Sequence, residues 1–269
     1  MDFIFVERWG GLGNQLFQYA AAVAVALKYQ SVMLISKEKN NTHNIFKHNY
    51  ALLFEFGIET EYTSSDILKI PGAILFSPYG FQPWNPRELT LPVVLQGYFQ
   101  YYPAIEHILP VLCKSLSAKL EDRRTRVKEK YSISDKDIFI HVRRGDYVEK
   151  SHIHYLQEQE YYENAYRLLV EKLGYQPTQI LIISDDIEWC KAQEWLSSLH
   201  FAVFIDEPDE LNALALMSLI KAGAIIANST FSWWGAIFNP SSCVVYPKKW
   251  IHPMLGKEIE LFPPQWHGL

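Results

Sequence analysis

The second half of the chain alternates short apolar runs with helix-length amphipathic ones, and this rhythm constrains the fold more than any other feature. The apolar runs are Ile138 to Val142, Ile180 to Ile183, Ala202 to Ile205, Ala224 to Ala227 and Val244 to Tyr246; helical patterns lie between them at Glu160 to Leu173, Glu188 to Leu199 and Asp209 to Lys221. Near-continuous apolar runs of strand length fit strands covered on both faces, and their alternation with helices predicts a doubly wound parallel α/β sheet. In such sheets ligands sit at the carboxyl ends of the strands. Those ends are polar here: Arg143 and Arg144 follow the first strand, Ser184, Asp185 and Asp186 the second, Asp206 the third, and Asn228, Ser229, Thr230, Phe231 and Ser232 the fourth. A coordinated set of this kind points to a site.

The two arginines carry the chemistry of that site. A planar guanidinium fork that never deprotonates suits the paired oxygens of a diphosphate. Gly145 lets the backbone turn closely past a ligand. A structural salt bridge from either arginine to Asp146 accounts for the same residues equally well. Ser229, Thr230 and Ser232 stand at the predicted start of a short helix, where hydroxyls and free amides receive phosphate oxygens; Trp233 and Trp234 read as core. Asp185 and Asp186 either accept hydrogen bonds from a guanine or cap the helix that follows. Asp135 and Asp137 form an Asp-x-Asp string of the kind that holds metals. They lie at the wrong end of the strand, about five residues at ~3.3 Å each, roughly 17 Å, from the arginines. They are expected to cap or solvate the entrance of the domain.

In the first half, Phe3 to Val6 reads as a strand, Trp9 to Gln15 as a tight glycine loop and Leu16 to Lys28 as a helix. The unit resembles a phosphate cradle, but Leu16 stands where a dinucleotide fingerprint needs its third glycine, and a plain strand-to-helix turn fits as well. Glu7 lies beside the loop and is a geometric candidate for a general base, with a surface glutamate as the plainer reading. Ser31 to Ser36 and Val93 to Phe99 read as strands. Asn40 to Tyr62 and Ser77 to Pro92 are irregular and aromatic, suited to a variable binding wall for an acceptor. Ala104 to Tyr131 has helical periodicity and becomes strongly charged from Lys119, which puts the domain boundary near residues 125–135 and gives domains 1–130 and 131–269. The net charge of −5, with no dense basic run except Arg123 to Lys130, argues against a nucleic-acid binder. Cys113, Cys190 and Cys243 are odd in number and lack metal-ligand spacing, as expected of a reducing, cytoplasmic compartment. The N-terminus has acids where a signal peptide needs bases, and no apolar run reaches membrane-spanning length.

Three blocks, Gly10 to Ala20, His141 to Tyr147 and Asn228 to Gly235, together resemble the α-1,2-fucosyltransferase family, glycosyltransferase family 11, in its soluble bacterial form. Gly97 to Gln100 and Ser184 to Asp186 are similar to further segments of that family. The resemblance implies a GT-B-like architecture of two Rossmann-like domains facing a central cleft. It implies transfer of L-fucose from the donor GDP-β-L-fucose to the 2-hydroxyl of a galactose-containing glycan, with inversion and with no metal or other cofactor. The first domain, 1–130, would be the acceptor side and the second, 131–269, would bind GDP-fucose. Arg143 and Arg144 would hold the diphosphate, supported by His141 and Asp146; Asn228, Ser229, Thr230, Phe231 and Ser232 would contact phosphates and Asp185 or Asp186 the guanosine. Gly11, Gly13, Asn14 and Gln15 would reach the donor from the first domain. Peripheral association with the inner membrane face through a lipid-linked acceptor goes with this reading. A fucosyltransferase of another linkage and a non-catalytic sugar-nucleotide or glycan-binding protein are the alternatives.

Overall fold

The chain separates after Leu116, earlier than the boundary expected from the sequence. In the computed structural model, which describes residues 2–39, 57–60, 62, 64–78, 81–239, 242–252 and 259–269, one unit comprises Met1–Leu116 and Gly256–Pro263, and the other Ser117–Leu255 and Pro264–Leu269. The reason is a helix whose charges look solvated in the sequence. Glu121–Tyr131 belongs to the second unit, where Arg123 donates to Asp209 and Asn212, both at 2.6 Å, and Arg124 donates to the Ser218 hydroxyl at 2.7 Å.

The first unit contains β1 (Phe3–Arg8), α1 (Leu12–Tyr29), β2 (Val32–Lys39), β3 (Gly57–Thr60), α2 (Ser64–Ile67), β4 (Ile74–Phe76), β5 (Val93–Leu95) and α3 (Tyr102–Ile105); α4 (Leu109–Lys119) leads out of it. Its strands pair in parallel in the order β3-β2-β1-β5-β4. The chain runs outward from β1 through β2 to β3 and places β5 on the other side of β1, so the order reverses between β1 and β5. The alanine-rich α1 is buried over most of its length, as its composition predicts.

The second unit contains α5 (Glu121–Tyr131), β6 (Ile138–Val142), α6 (Gly145–Glu149), α7 (Gln159–Leu173), β7 (Ile180–Ser184), α8 (Ile187–Lys191), α9 (Glu194–Ser197), β8 (Ala202–Ile205), α10 (Glu210–Met217), β9 (Gly223–Ile225), α11 (Thr230–Ile237), β10 (Cys243–Tyr246) and β11 (His267–Gly268). Its parallel sheet has the order β11-β10-β9-β6-β7-β8. Every residue of β6 is buried, because β7 and β9 flank it and side chains cover both faces. Ile138, Ile140 and Val142 pack with Tyr162, Leu169 and Ile182 in one core. Full burial of each such side chain is worth about 1.5–3 kcal/mol. The strand order reverses between β6 and β9, and that is where open α/β sheets bind ligands.

Several expected elements are redrawn. The helix predicted over Ala104 to Tyr131 is three pieces, α3, α4 and α5, joined by a 3₁₀ turn at Glu106–Ile108 and a break at Leu120. The strand predicted to reach Phe99 stops at Leu95, and Phe99 takes a left-handed φ of 53°. The helix over Glu188 to Leu199 divides into α8 and α9. Of the irregular segments, residues 40–56, 61 and 79–80 lie outside the described residues. Trp84, expected in a sugar-facing wall, is buried against Phe76 and Phe99, with ring centres 6.2 and 5.5 Å away. The last residues serve both units: Tyr102 N–H donates to Glu260 O in the first, and Lys248 N–H donates to Leu269 O in the second. Among the described residues, no helix is long and apolar enough to cross a membrane.

Candidate active site

The ends of β6 and β9 deliver the two motifs of the second unit to one crevice of its sheet. Arg143 Nη2 donates to Asp146 Oδ1 at 2.6 Å, and its Nη1 meets Asp185 Oδ2 at 2.9 Å. The salt bridge anticipated to Asp146 therefore exists, and Asp185 completes it from the neighbouring strand. The guanidinium also lies over the Tyr147 ring at 5.1 Å, and that ring stacks on His154 at 4.1 Å with an interplanar angle of 8°. Arg144 is held in parallel fashion. Its N–H donates to Asp185 Oδ1 at 2.8 Å, its Nε to Asp186 Oδ2 at 3.2 Å, and its guanidinium stacks 3.8 Å above Trp189.

Of the two readings of the acidic pair, capping is realised in Asp186, whose Oδ1 accepts from Trp189 N–H at the start of α8. Asp185 instead bridges the arginines. Gly145 makes room for this carboxylate, since a Cβ at that position would lie 2.3 Å from Asp185 Oδ2. The glycine expected to admit a ligand thus admits a side chain of the protein. Lys150 donates to Asp146 Oδ2 at 3.1 Å, which closes a cluster of three cations and three carboxylates. Burying a fork without such partners costs several kcal/mol. Here the carboxylates hold both forks in place.

Protonation states follow from the same geometry. Burial works to lower the Arg143 pKa, but Asp185, Tyr147 and Asp146 outweigh it and leave it raised. Burial works to raise the Asp146 pKa, and Arg143 and Lys150 outweigh that in turn and leave it lowered. Burial raises the Tyr147 phenol to about 12. His141, 3% exposed on β6, is pulled down from 6.5 to about 3 by burial and then by Arg143, so its ring is neutral.

The β9 side supplies the second wall. Tyr147 Oη donates to Asn228 O at 3.0 Å, tying the arginine turn to the end of β9. Asn228 Nδ2 donates to Tyr155 O and Trp250 O, both at 2.9 Å, and so fixes two loops. Ser229 is the N-cap of α11 without a side-chain capping bond, Thr230 and Phe231 are partly exposed, and the Phe231 ring lies 5.9 Å from His141. Ser232, expected among the phosphate ligands, is fully buried and donates to Ser229 O at 3.2 Å. Trp233 and Trp234 are core, as expected. In this crevice His141 Nδ1, Arg143 Nε and Asn228 Oδ1 are buried with no hydrogen-bond partner among the described residues. Unsatisfied atoms of this kind cluster where a ligand is meant to bind or where strain is held.

In the first unit α1 begins at Leu12, so Gly13, Asn14 and Gln15 form its first turn and do not belong to a loop. Gly10 has a left-handed φ of 72°, and a Cβ there would lie 2.5 Å from Asn14 Nδ2. Two buried glutamines of α1 fasten the preceding backbone. Gln15 Nε2 donates to Gly10 O at 2.7 Å; Gln18 donates to Trp9 O at 3.0 Å and accepts from Trp9 N–H at 2.9 Å. Gln100 donates to Asn14 at 2.9 Å, while Gly11 caps the helix with no side chain. Asp137 is buried at the entrance of β6, accepting from Ser134 N–H and Oγ at 2.6 and 2.7 Å, and Asp135 pairs with Lys221 at 2.9 Å. Both aspartates are capping and surface groups of that strand entrance. Tyr147, Lys150 and Trp189 are site residues with no assigned role in the sequence reading; Tyr147 stood inside the arginine motif, but nothing in a linear pattern marks Trp189 as the platform under Arg144.

The chain matches glycosyl transferase family 11 over residues 6–269. It belongs to that family. This family 11 chain is 27% identical to the O-antigen biosynthesis glycosyltransferase WbnK of Escherichia coli, over 90% of this chain and 92% of that protein. It is 26% identical to an α-1,2-colitosyltransferase of Escherichia coli, over 99% and 98% of the two chains. Among solved structures it is similar to the NodZ α-1,6-fucosyltransferase soaked with GDP-fucose, with a TM-score of 0.54 at 12% identity over 89% of this chain and 93% of that one. It is also similar to FUT1 of Arabidopsis thaliana in complex with GDP, with a TM-score of 0.50 at 12% identity over 91% and 70%. The shared fold is the GT-B type, built from parallel-sheet α/β units, and the family 11 chain is a glycosyltransferase.

Proposed function

We propose that the protein is an inverting α-1,2-fucosyltransferase that moves L-fucose from GDP-β-L-fucose to the 2-hydroxyl of a galactose in an oligosaccharide or lipopolysaccharide acceptor, without a metal ion. The observation that carries this reading is Arg143, pinned between Asp146 and Asp185 at the strand-order reversal with Arg144 beside it. The acceptor oxygen attacks the anomeric carbon, the bond from that carbon to the diphosphate oxygen breaks, and GDP leaves with the electron pair while the hydroxyl proton passes to water or to the departing diphosphate. Negative charge develops on the departing β-phosphate, and fixed cations stabilise it most at the transition state. In this reading Arg143 and Arg144 clamp the diphosphate. The N-terminal end of α11, with Asn228, Ser229, Thr230 and Phe231, lines its other side, and the buried, neutral His141 supports the turn from β6. Asp146 and Asp185 position the arginines, which leaves guanine recognition to be assigned by substitution of Asp185 and Asp186. The GDP-fucose-soaked fucosyltransferase neighbour supports the donor, the α-1,2 linkage of the colitosyl relative supports the regiochemistry, and the O-antigen relative supports a glycan acceptor.

The same relative favours one second reading, transfer of colitose in place of fucose. Incubation with GDP-fucose or GDP-colitose and a panel of β-galactosides, with GDP release measured against a no-acceptor control and the product linkage read by NMR, separates the two. GDP-fucose with a galactoside is expected to give acceptor-dependent GDP release and an α-1,2 product, and GDP is expected to inhibit more strongly than UDP. Turnover confined to GDP-colitose would transfer the assignment to that sugar, and no acceptor-dependent release from either donor would refute both.

A further inference from the structure

Parallel pairing of β1 with β5 sets Phe5 beside Val94 and Val6 beside Leu95. The same register, continued past the strand ends, sets Glu7 beside Gln96 and Trp9 beside Tyr98. Both pairs are in contact. Gln96 Nε2 donates to Glu7 Oε2 at 2.6 Å, and Trp9 meets Tyr98 edge to face with ring centres 6.5 Å apart. Deeper along the same face, Phe3, Phe5, Val94 and Ile67 form an apolar cluster. The face therefore passes from apolar to polar to aromatic as it approaches the strand-order reversal of the first unit, the place where a sheet of this kind binds ligands.

Glu7 is hard to explain as a structural residue. It is 3% exposed, and Gln96 is its sole hydrogen-bond partner among the described residues. One neutral amide does not offset the burial of a carboxylate, and a hydrophobic side chain would continue the Phe3 and Phe5 face at lower cost. The Trp9 indole N–H beside it is also buried without a partner. A carboxylate that accepts, an amide that donates and accepts, and an indole that donates match the adjacent hydroxyls of a sugar ring. Tyr98, 40% exposed, offers an aromatic surface to the ring's C–H face. The acid disfavours an anionic ligand here.

We infer that Glu7, Gln96, Trp9 and Tyr98 form a binding site for a neutral hexopyranoside. Its role as the acceptor-sugar site rests on the function proposed above; its existence as a sugar site does not. The probes are methyl β-D-galactopyranoside and a set of other methyl hexopyranosides, titrated by ligand-observed NMR into the full chain and into the Glu7→Gln and Tyr98→Ala variants, with GDP titrated separately. At least one glycoside binds the wild type. Glu7→Gln keeps the shape but replaces the charged acceptor, and weakens that glycoside about tenfold or more; Tyr98→Ala weakens it roughly three- to tenfold. Affinity for GDP stays within about twofold in both variants. Failure of every glycoside to bind, unchanged glycoside affinity in both variants, or a parallel loss of GDP affinity in both would overturn the site. Glycoside binding with these losses but no fucosyl transfer would uphold the site and remove the proposed function, whereas transfer with an unmoved acceptor KM in both variants would do the reverse.

Discussion

The Arg143 guanidinium and the Asp185 carboxylate meet at 2.9 Å across the ends of adjacent strands β6 and β7. Because the other oxygen of the same carboxylate accepts from the Arg144 backbone N–H, one aspartate holds the Arg143 side chain and the Arg144 backbone together. The arginine pair is therefore fixed by tertiary structure.

Replacing Arg143 by lysine keeps the charge but loses the planar fork that reaches two carboxylates at once. Arg143→Lys is expected to stay folded, losing about 1 kcal/mol or less, and to lose ~10²-fold or more in turnover, roughly 3 kcal/mol of transition-state stabilisation. Turnover at saturating GDP-fucose and acceptor, beside a melting curve, measures both quantities. Near-normal turnover would sink the clamp.

Gly145→Ala places a methyl where Asp185 Oδ2 now stands, 2.3 Å from the added carbon. The carboxylate has to move and both arginines lose their common anchor. Overpacking of this kind costs about 1–3 kcal/mol of stability, and affinity for GDP is expected to fall about tenfold or more by calorimetry. A folded variant that binds GDP as tightly as the wild type would show that Asp185 does not organise the site.

His141 gives an acid limb of defined sign. The native ring stays neutral down to about pH 3 while the unfolded ring titrates near its ordinary value of 6.5. Between those values the unfolded chain takes up a proton that the native chain refuses, so stability falls as pH drops from about 6.5, by up to ~1.4 kcal/mol per pH unit from this residue. Burial lowers His154 as well and acts in the same direction. Urea midpoints between pH 7 and 4 are expected to fall less steeply for His141→Gln than for the wild type; equal slopes would mean that His141 is not held neutral.

Excess EDTA is expected to leave most of the activity in place, because two fixed guanidinium groups supply the charge that a metal supplies elsewhere. Loss of activity restored by Mg2+ or Mn2+ would refute this and would direct attention to Asp185 and Asp186.

The central strands were legible because burial on both faces leaves an unbroken apolar run, and Ile138–Val142 falls where the pattern puts it. The start of α1 was not. Gly13 and Asn14 are poor helix formers, and what extends the helix back to Leu12 is the pair of glutamines bonded to Gly10 and Trp9, a tertiary effect that overrides propensity. Strands β3 and β4, of four and three residues, lack the length to show a period. In the site, Arg143 and Arg144 announced themselves by residue type. The work of Asp185 did not, because its partner Arg144 lies 41 positions away in the chain and only the parallel pairing of β6 with β7 brings them together.

The tail has a consequence for recombination between relatives. The chain leaves the first unit after Leu116, returns to it for Gly256–Pro263 and ends in the second, where β11 pairs with β10. A half-and-half chimera joined at a single crossover would therefore graft a foreign strip onto whichever unit it meant to preserve. Transplanting a whole unit calls for three crossovers, at residues 116/117, 255/256 and 263/264.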